Sequence, residues 1–239
     1  MNMKNSPNLK AFSVFVFSFL GFSLFVSVRS ALPQGQTFRN PLDSVNGLKL
    51  INVKAETVVF KGRKAVRVSD AAKAGTGDEG RLAVLSDVEF QDGTIEVDLA
   101  GEPGPNAAEG ARGFVGIAFR VAADESRFEC IYLRPTNGRA EDQVRRNHSV
   151  QYISIPGFPW PLLRKEFPEK YETYVDLIPG EWTKVKIEVR GDKARLTVHD
   201  QQQPTLLIND LKQGLTKGAI ALWVGNYTVA HFSNLRVSK

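Results

Sequence analysis

Thr183-Lys184-Val185-Lys186-Ile187-Glu188-Val189-Arg190, Gly191-Asp192, then Ala194-Arg195-Leu196-Thr197-Val198-His199: this stretch decides the fold class. Val185, Ile187 and Val189 alternate with Lys184, Lys186, Glu188 and Arg190. Leu196 and Val198 alternate with Arg195, Thr197 and His199. A period of two with charge on every second side chain describes paired strands, one face buried and the other in water. Gly191-Asp192 between them is a hairpin signal.

The same reading extends in both directions. Ala55–Phe60 and Lys64–Ser69 flank Gly62-Arg63. Asp92-Gly93 opens Thr94–Leu99; Gly113–Val121 and Phe128–Arg134 follow, and Ala219–Val224 and Ala230–Val237 close the chain. No segment holds a helical period over three turns. Short strands separated by turn residues predict an all-β sandwich or barrel, and 239 residues suit one large sandwich.

Two kinds of strand are present. In 113–121 the set Val115, Ile117, Phe119, Val121 faces away from Phe114, Gly116, Ala118 and Arg120; in 219–224, Ile220, Leu222 and Val224 oppose Ala219, Ala221 and Trp223. Small residues beside an aromatic or an arginine predict a concave sheet that offers a groove. Read as packing alone, they relieve crowding on a curved sheet, with Trp223 under a loop.

The first thirty residues differ. Lys4 and Lys10 precede the apolar run Ala11–Val28, and Ser30-Ala31 supplies small residues for cleavage. This is the layout of a secretory signal peptide, so a secreted or periplasmic protein is expected, without a membrane span after cleavage. A retained anchor is the alternative, since the run approaches spanning length. Residues 31–45 read as a polar connector and 46–239 as the domain. Without Lys4, Lys10 and Arg29, the 31 bases fall to 28 against 26 acids. That balance lacks the basic face a nucleic-acid partner requires. The single cysteine, Cys130, lies within Phe128–Leu133 and reads as a buried structural thiol rather than a nucleophile.

Asp92–Asp98, Gly113–Arg120, Glu129–Pro135, the turn Gly180–Val185 and the closing strand Phe232–Val237 together resemble the concanavalin A-like lectin/glucanase superfamily. Laminin G-like domains and the bacterial domain tied to 3-keto-disaccharide hydrolases are among its members. The resemblance covers residues 45 to 238 and implies a jelly-roll sandwich of two antiparallel sheets. It implies no single activity, because lectins, glycanases, lyases and adhesion modules share that frame.

The chemistry is concentrated in residues 132–164. Arg134, Asn137, Arg139, Asp142, Gln143, Arg145, Asn147 and Gln151 carry planar or multidentate polar groups suited to sugar hydroxyls or carboxylates. The stiff loop Pro156-Gly157-Phe158-Pro159-Trp160-Pro161 and Arg164 follow. Trp160 is expected to stack on a pyranose ring, and Arg120, Tyr132 and Arg134 to floor the groove. The competing reading is a salt-bridged insertion whose Phe158 and Trp160 plug the sandwich edge.

Glu96 and Asp98 point from one side of a strand, as the acids of family 16 glycoside hydrolases do. The next acid, Glu102, lies beyond Gly101 and beside Pro103-Gly104-Pro105, so the family's third acid is out of place. Glu96 and Asp98 are expected to be solvated or paired with Arg120. His148 and Tyr152 are weak catalytic candidates for a lyase, in which Arg neutralises a uronate and His or Tyr takes a proton. His148, His199 and His231 lack metal-ligand spacing. No cofactor is expected; calcium occurs in the superfamily, no calcium-loop motif is present, and Asp142 with Glu141 is the only loop pair to test. The expectation is a carbohydrate-binding or glycan-processing domain, with binding ahead of catalysis. An enzyme acting on a polysaccharide or disaccharide (hydrolase or lyase) stands second, and a laminin G-like protein-binding module third.

Overall fold

The computed structural model describes residues 37–71 and 80–239, together with Met1 and Gly35. The expected leader beyond Met1, and its expected cleavage site, lie outside the described residues. Among the described residues fifteen strands follow one another. They are β1 (Thr37–Asn40), β2 (Leu48–Ile51), β3 (Val53–Phe60), β4 (Arg63–Asp70), β5 (Leu82–Phe90), β6 (Gly93–Pro103), β7 (Val115–Val121) and β8 (Phe128–Leu133). After a 3-10 turn at Pro135–Asn137 come α1 (Gln143–Asn147), β9 (Val150–Ile155), α2 (Trp160–Glu166) and β10 (Glu172–Thr173). The chain ends with β11 (Thr183–Arg190), β12 (Lys193–Val198), β13 (Leu206–Ile208), β14 (Gly218–Val224) and β15 (Thr228–Ser238).

All these strands pair antiparallel, in two sheets. The first runs β13-β12-β11-β6-β15-β4-β3, with β1 also on β15; the second runs β10-β9-β8-β7-β14-β5-β2. Strands distant in sequence sit side by side, as in a jelly roll. The quoted hairpin forms as its alternation predicts, with Ile187 opposite Leu196 and both buried. The expected connector is not only a linker. Its residues Thr37–Asn40 pair with Ser238–Leu235 of β15, so the first sheet recruits chain ahead of residue 46.

The period-two logic also fixes the two faces of the first sheet. Ile95, Val97 and Leu99 point into the core while Glu96 and Asp98 point out. Asp98 Oδ2 accepts from Arg63 at 3.1 Å and Asn234 at 2.7 Å, and Glu96 lies 3.7 Å from Arg236. Their partners are therefore these groups and not Arg120, and both acids stand on the outer face of the first sheet.

Arg120 has a different role from the expected one. It takes a positive φ of 54° at the end of β7, and its side chain is wholly buried. Nε donates to Gln91 O at 3.0 Å, Nη1 to Gly214 O at 2.6 Å, and Nη2 to Gly191 O at 2.6 Å and Asp92 Oδ1 at 3.2 Å. One guanidinium thus ties the β5–β6 turn, the β11–β12 turn and the loop before β14 together. Deleting a buried charge leaves its acceptors dry and unpaired, at a cost of about 3–5 kcal/mol. Arg120→Leu is expected to lose stability of that order in urea unfolding; a loss below about 1 kcal/mol would contradict this account.

Candidate functional site

The site begins with a row of side chains on the second sheet. Register places Trp223 beside Gly116, Gly116 beside Tyr132, Tyr132 beside Gln151 and Gln151 beside Glu172. Cross-strand partners share a face, and the opposite face, with Val115, Ile117 and Leu222, enters the core. A Cβ at Gly116 would stand 2.4 Å from Ile131 O and 2.5 Å from the Tyr132 Cβ. The absent side chain lets Tyr132 lean on Trp223, ring centroids 4.7 Å apart. Gly116 therefore relieves crowding, and Trp223 is buried rather than presented in a groove.

Two residues further along β7 and β8, Phe114 and Arg134 begin a cleft of about 430 Å³. The 3-10 turn and α1 supply Asn137, Asp142, Val144 and Arg145 to its lining; His148, Trp160 and Arg164 complete it on the β9 side. Seven side chains singled out in the sequence thus converge: Arg134, Asn137, Asp142, Arg145, His148, Trp160 and Arg164. Phe114, from the face of 113–121 read as groove-forming, also lines it; Gly110, Arg112 and Val144 join without having been anticipated.

A buried carboxylate organises the inner wall. Arg164 grips Glu172 with Nε at 3.0 and 3.1 Å from its two oxygens and Nη2 at 2.6 Å. Arg134 Nη1 stands 3.8 Å from the same group. His148 Nδ1 lies 2.8 Å from Glu172 Oε2, off the angle of a good hydrogen bond. Arg134 is further held by donation to His148 O at 3.0 Å, Tyr132 Oη at 2.9 Å and Gln151 Oε1 at 3.2 Å. Tyr132 and Gln151 thus sit beneath the cleft as buried supports of Arg134. Burial lowers the His148 pKa; Arg164 and Arg134 push the same way and Glu172 opposes them.

The outer wall is built from short-range hydrogen bonds. Asp142 caps α1, its Oδ1 accepting from Arg145 N at 2.6 Å. The Arg145 side chain reaches back, Nε to Asn137 Oδ1 at 3.0 Å and Nη2 to Thr136 O and Oγ1 at 3.1 Å. Asn137 Nδ2 in turn donates to His148 O at 3.0 Å. The loop acid considered for calcium is thus the cap of a helix.

Trp160 differs from the expected open stacking platform. The Arg164 guanidinium lies 4.7 Å from its ring centroid and that of Arg134 5.7 Å. The indole is already in cation–π contact with the protein, and it gives the cleft a stiff apolar wall. The remaining candidates lie outside the lining. Arg139 forms a two-pronged pair with Asp176, at 2.7 and 2.8 Å, on the surface. Gln143 donates to Asn147 along α1 at 2.8 Å.

Tyr152 belongs to the other face of the sheet. Its hydroxyl contacts Glu129 Oε2 at 2.5 Å and accepts from Lys212 N at 2.9 Å. Burial raises its pKa far above 10, with Glu129 adding to the effect. Register explains the separation: residue 152 differs in parity from the face-sharing Gln151, so the sheet itself stands between Tyr152 and the cleft.

No family model matches the sequence, and neither does any curated protein. Solved structures match in shape. A Bacillus subtilis protein of unknown function with a galectin-like fold is 15% identical over 84% of this chain and 94% of its own, with a TM-score of 0.54. A Bacillus licheniformis beta-glucanase is 13% identical over 85% of this chain and 98% of its own, with a TM-score of 0.50. The chain is a concanavalin A-like jelly-roll sandwich.

Because Glu172 favours the protonated imidazole, removing its charge should lower the His148 titration midpoint further in Glu172→Gln. NMR titration of the His148 ring checks this; a midpoint that rises would contradict the wall as described.

Proposed function

We propose that the chain is an exported carbohydrate-binding domain whose site is the cleft between the 3-10 turn, α1 and α2. The convergence of seven polar and aromatic side chains from a continuous sequence segment in one open cleft carries this reading. Its size suits a small ligand, and a few fixed polar groups among apolar walls supply orientation. Phe114, Trp160 and Val144 offer apolar contact, while the guanidiniums and Asn137 offer hydrogen bonds in fixed planes. The beta-glucanase built on the same fold is a protein named for a glycan. Export rests on the leader pattern of the sequence, and no helix among the described residues is long and apolar enough to cross a membrane.

Binding is favoured over catalysis by the state of the acids. Glu96 and Asp98 are engaged on the outer face of the other sheet. Glu172 is buried under two arginines, and Asp142 caps a helix. Of the two lyase candidates, Tyr152 is behind the sheet and holds its proton firmly, while His148 lines the cleft with its Nδ1 turned to Glu172. A glycan array is expected to show binding that falls at least tenfold in Trp160→Ala and is unchanged in Glu96→Gln. Binding that survives Trp160→Ala intact would place the site elsewhere. Release of reducing or unsaturated ends from a polysaccharide would replace binding by catalysis.

A further inference from the structure

The arginines of the cleft fall into two groups. Arg134 and Arg164 are answered by Glu172. Arg112 and Arg145 make no ion pair among the described residues. The Arg112 side chain has a single hydrogen bond among the described residues, Nη1 to the neighbouring Ala111 O at 3.4 Å. Arg145 bonds only neutral oxygens through its side chain, and its Nη1 has no partner among the described residues. Asp142, the one acid among the described lining residues, has one oxygen committed to a backbone N–H.

These two cations are held close. Thr136 N donates to Arg112 O at 3.4 Å, and Arg145 Nη2 donates to Thr136 O, so one residue links their segments. The Arg112 guanidinium is lowered in pKa by burial first, then by Arg145 and Arg134, which is how crowded like charges behave. Gly113 fixes the approach: it takes φ +67°, and a Cβ there would stand 2.7 Å from the Glu102 Cα. The backbone carrying Arg112 is thus pressed on β6 and is poorly placed to swing away. Two cations in one open cleft with no acid at ion-pair distance, beside apolar Phe114 and Val144, are a poor way to stabilise a fold and a good way to receive an anion. A guanidinium offers parallel N–H donors that match a carboxylate or sulfate in geometry and charge.

We propose that the cleft takes an acidic saccharide, its carboxylate or sulfate received by Arg112 and Arg145 while the sugar ring lies toward Phe114 and Trp160. This rests on the carbohydrate-binding reading and narrows it to oxyanion-bearing glycans. An incoming anion relieves the repulsion between the two guanidiniums, so binding weakens as salt screens the contact.

Matched pairs on one array, read with the full chain, test this. Oligogalacturonate is compared with its methyl ester, and a sulfated galactan oligomer with its desulfated form. The account predicts at least tenfold preference for the charged member of one pair, which names carboxylate or sulfate as the group. It also predicts loss of that preference in Arg112→Gln, with partial recovery in Arg112→Lys, and weaker binding between 50 and 500 mM salt as order-of-magnitude settings, ~10-fold apart, for a screened contact. The Arg112 side chain carries one weak hydrogen bond among the described residues, so Arg112→Gln should fold, and circular dichroism verifies it. Equal binding of both members of each pair overturns the acidic specificity and leaves the carbohydrate reading standing. No binding of any glycan overturns both.

Discussion

One buried carboxylate sets the form of the cleft. Glu172 sits on a two-residue strand at the edge of the second sheet, almost out of reach of water. A carboxylate in that position stays charged only if cations and donors meet it. Arg164 arrives from α2, Arg134 from the end of β8, and His148 from the start of β9. Those three approaches bring the insertion against the edge of the second sheet and leave Trp160 standing against the two guanidiniums. Were Glu172 absent, the inner wall would be two desolvated arginines in mutual repulsion.

The second wall obeys a weaker rule. It is knit from a helix cap and from Arg145 folding back on Thr136 and Asn137, all neutral contacts apart from the cap itself. One side of the cleft is therefore tied by ion pairs to Glu172, and on the other Arg112 and Arg145 make no ion pair among the described residues. At the far end of β7, Arg120 solves a separate problem by fastening three turns beneath the core. Stability and ligand chemistry thus occupy opposite ends of one strand, and substitutions at one end leave the other intact.

The strands were legible because alternation at 183–199 and 94–99 places charge in water at every second residue. β5, buried along its first four residues, and the short β1, β2, β10 and β13, of four residues or fewer, offer too little period to read and were not among the strands drawn from the sequence. Within the site, the 134–164 segment announced itself through its density of amides, arginines and a proline-framed tryptophan. Arg112 did not, since it comes from a different part of the chain, and Phe114 was read only as one of the mixed face of 113–121; pairing of β7 with β8 brings both toward Arg134. Glu172 was silent for the same reason. Arg120 and Tyr152 misled in opposite ways: an arginine in an apolar strand resembles a ligand group until its four acceptors are seen, and a tyrosine one residue out of parity lies behind the sheet.

In the proposed function this cleft, and no other surface of the sandwich, receives the glycan. The most direct test is an NMR titration of the arginine Nε–Hε resonances with oligogalacturonate. Shifts at Arg112, Arg145 and Arg164, with Arg120 unmoved, are the expected result. Shifts confined to Arg63 and Arg236, on the outer face of the first sheet, would contradict it.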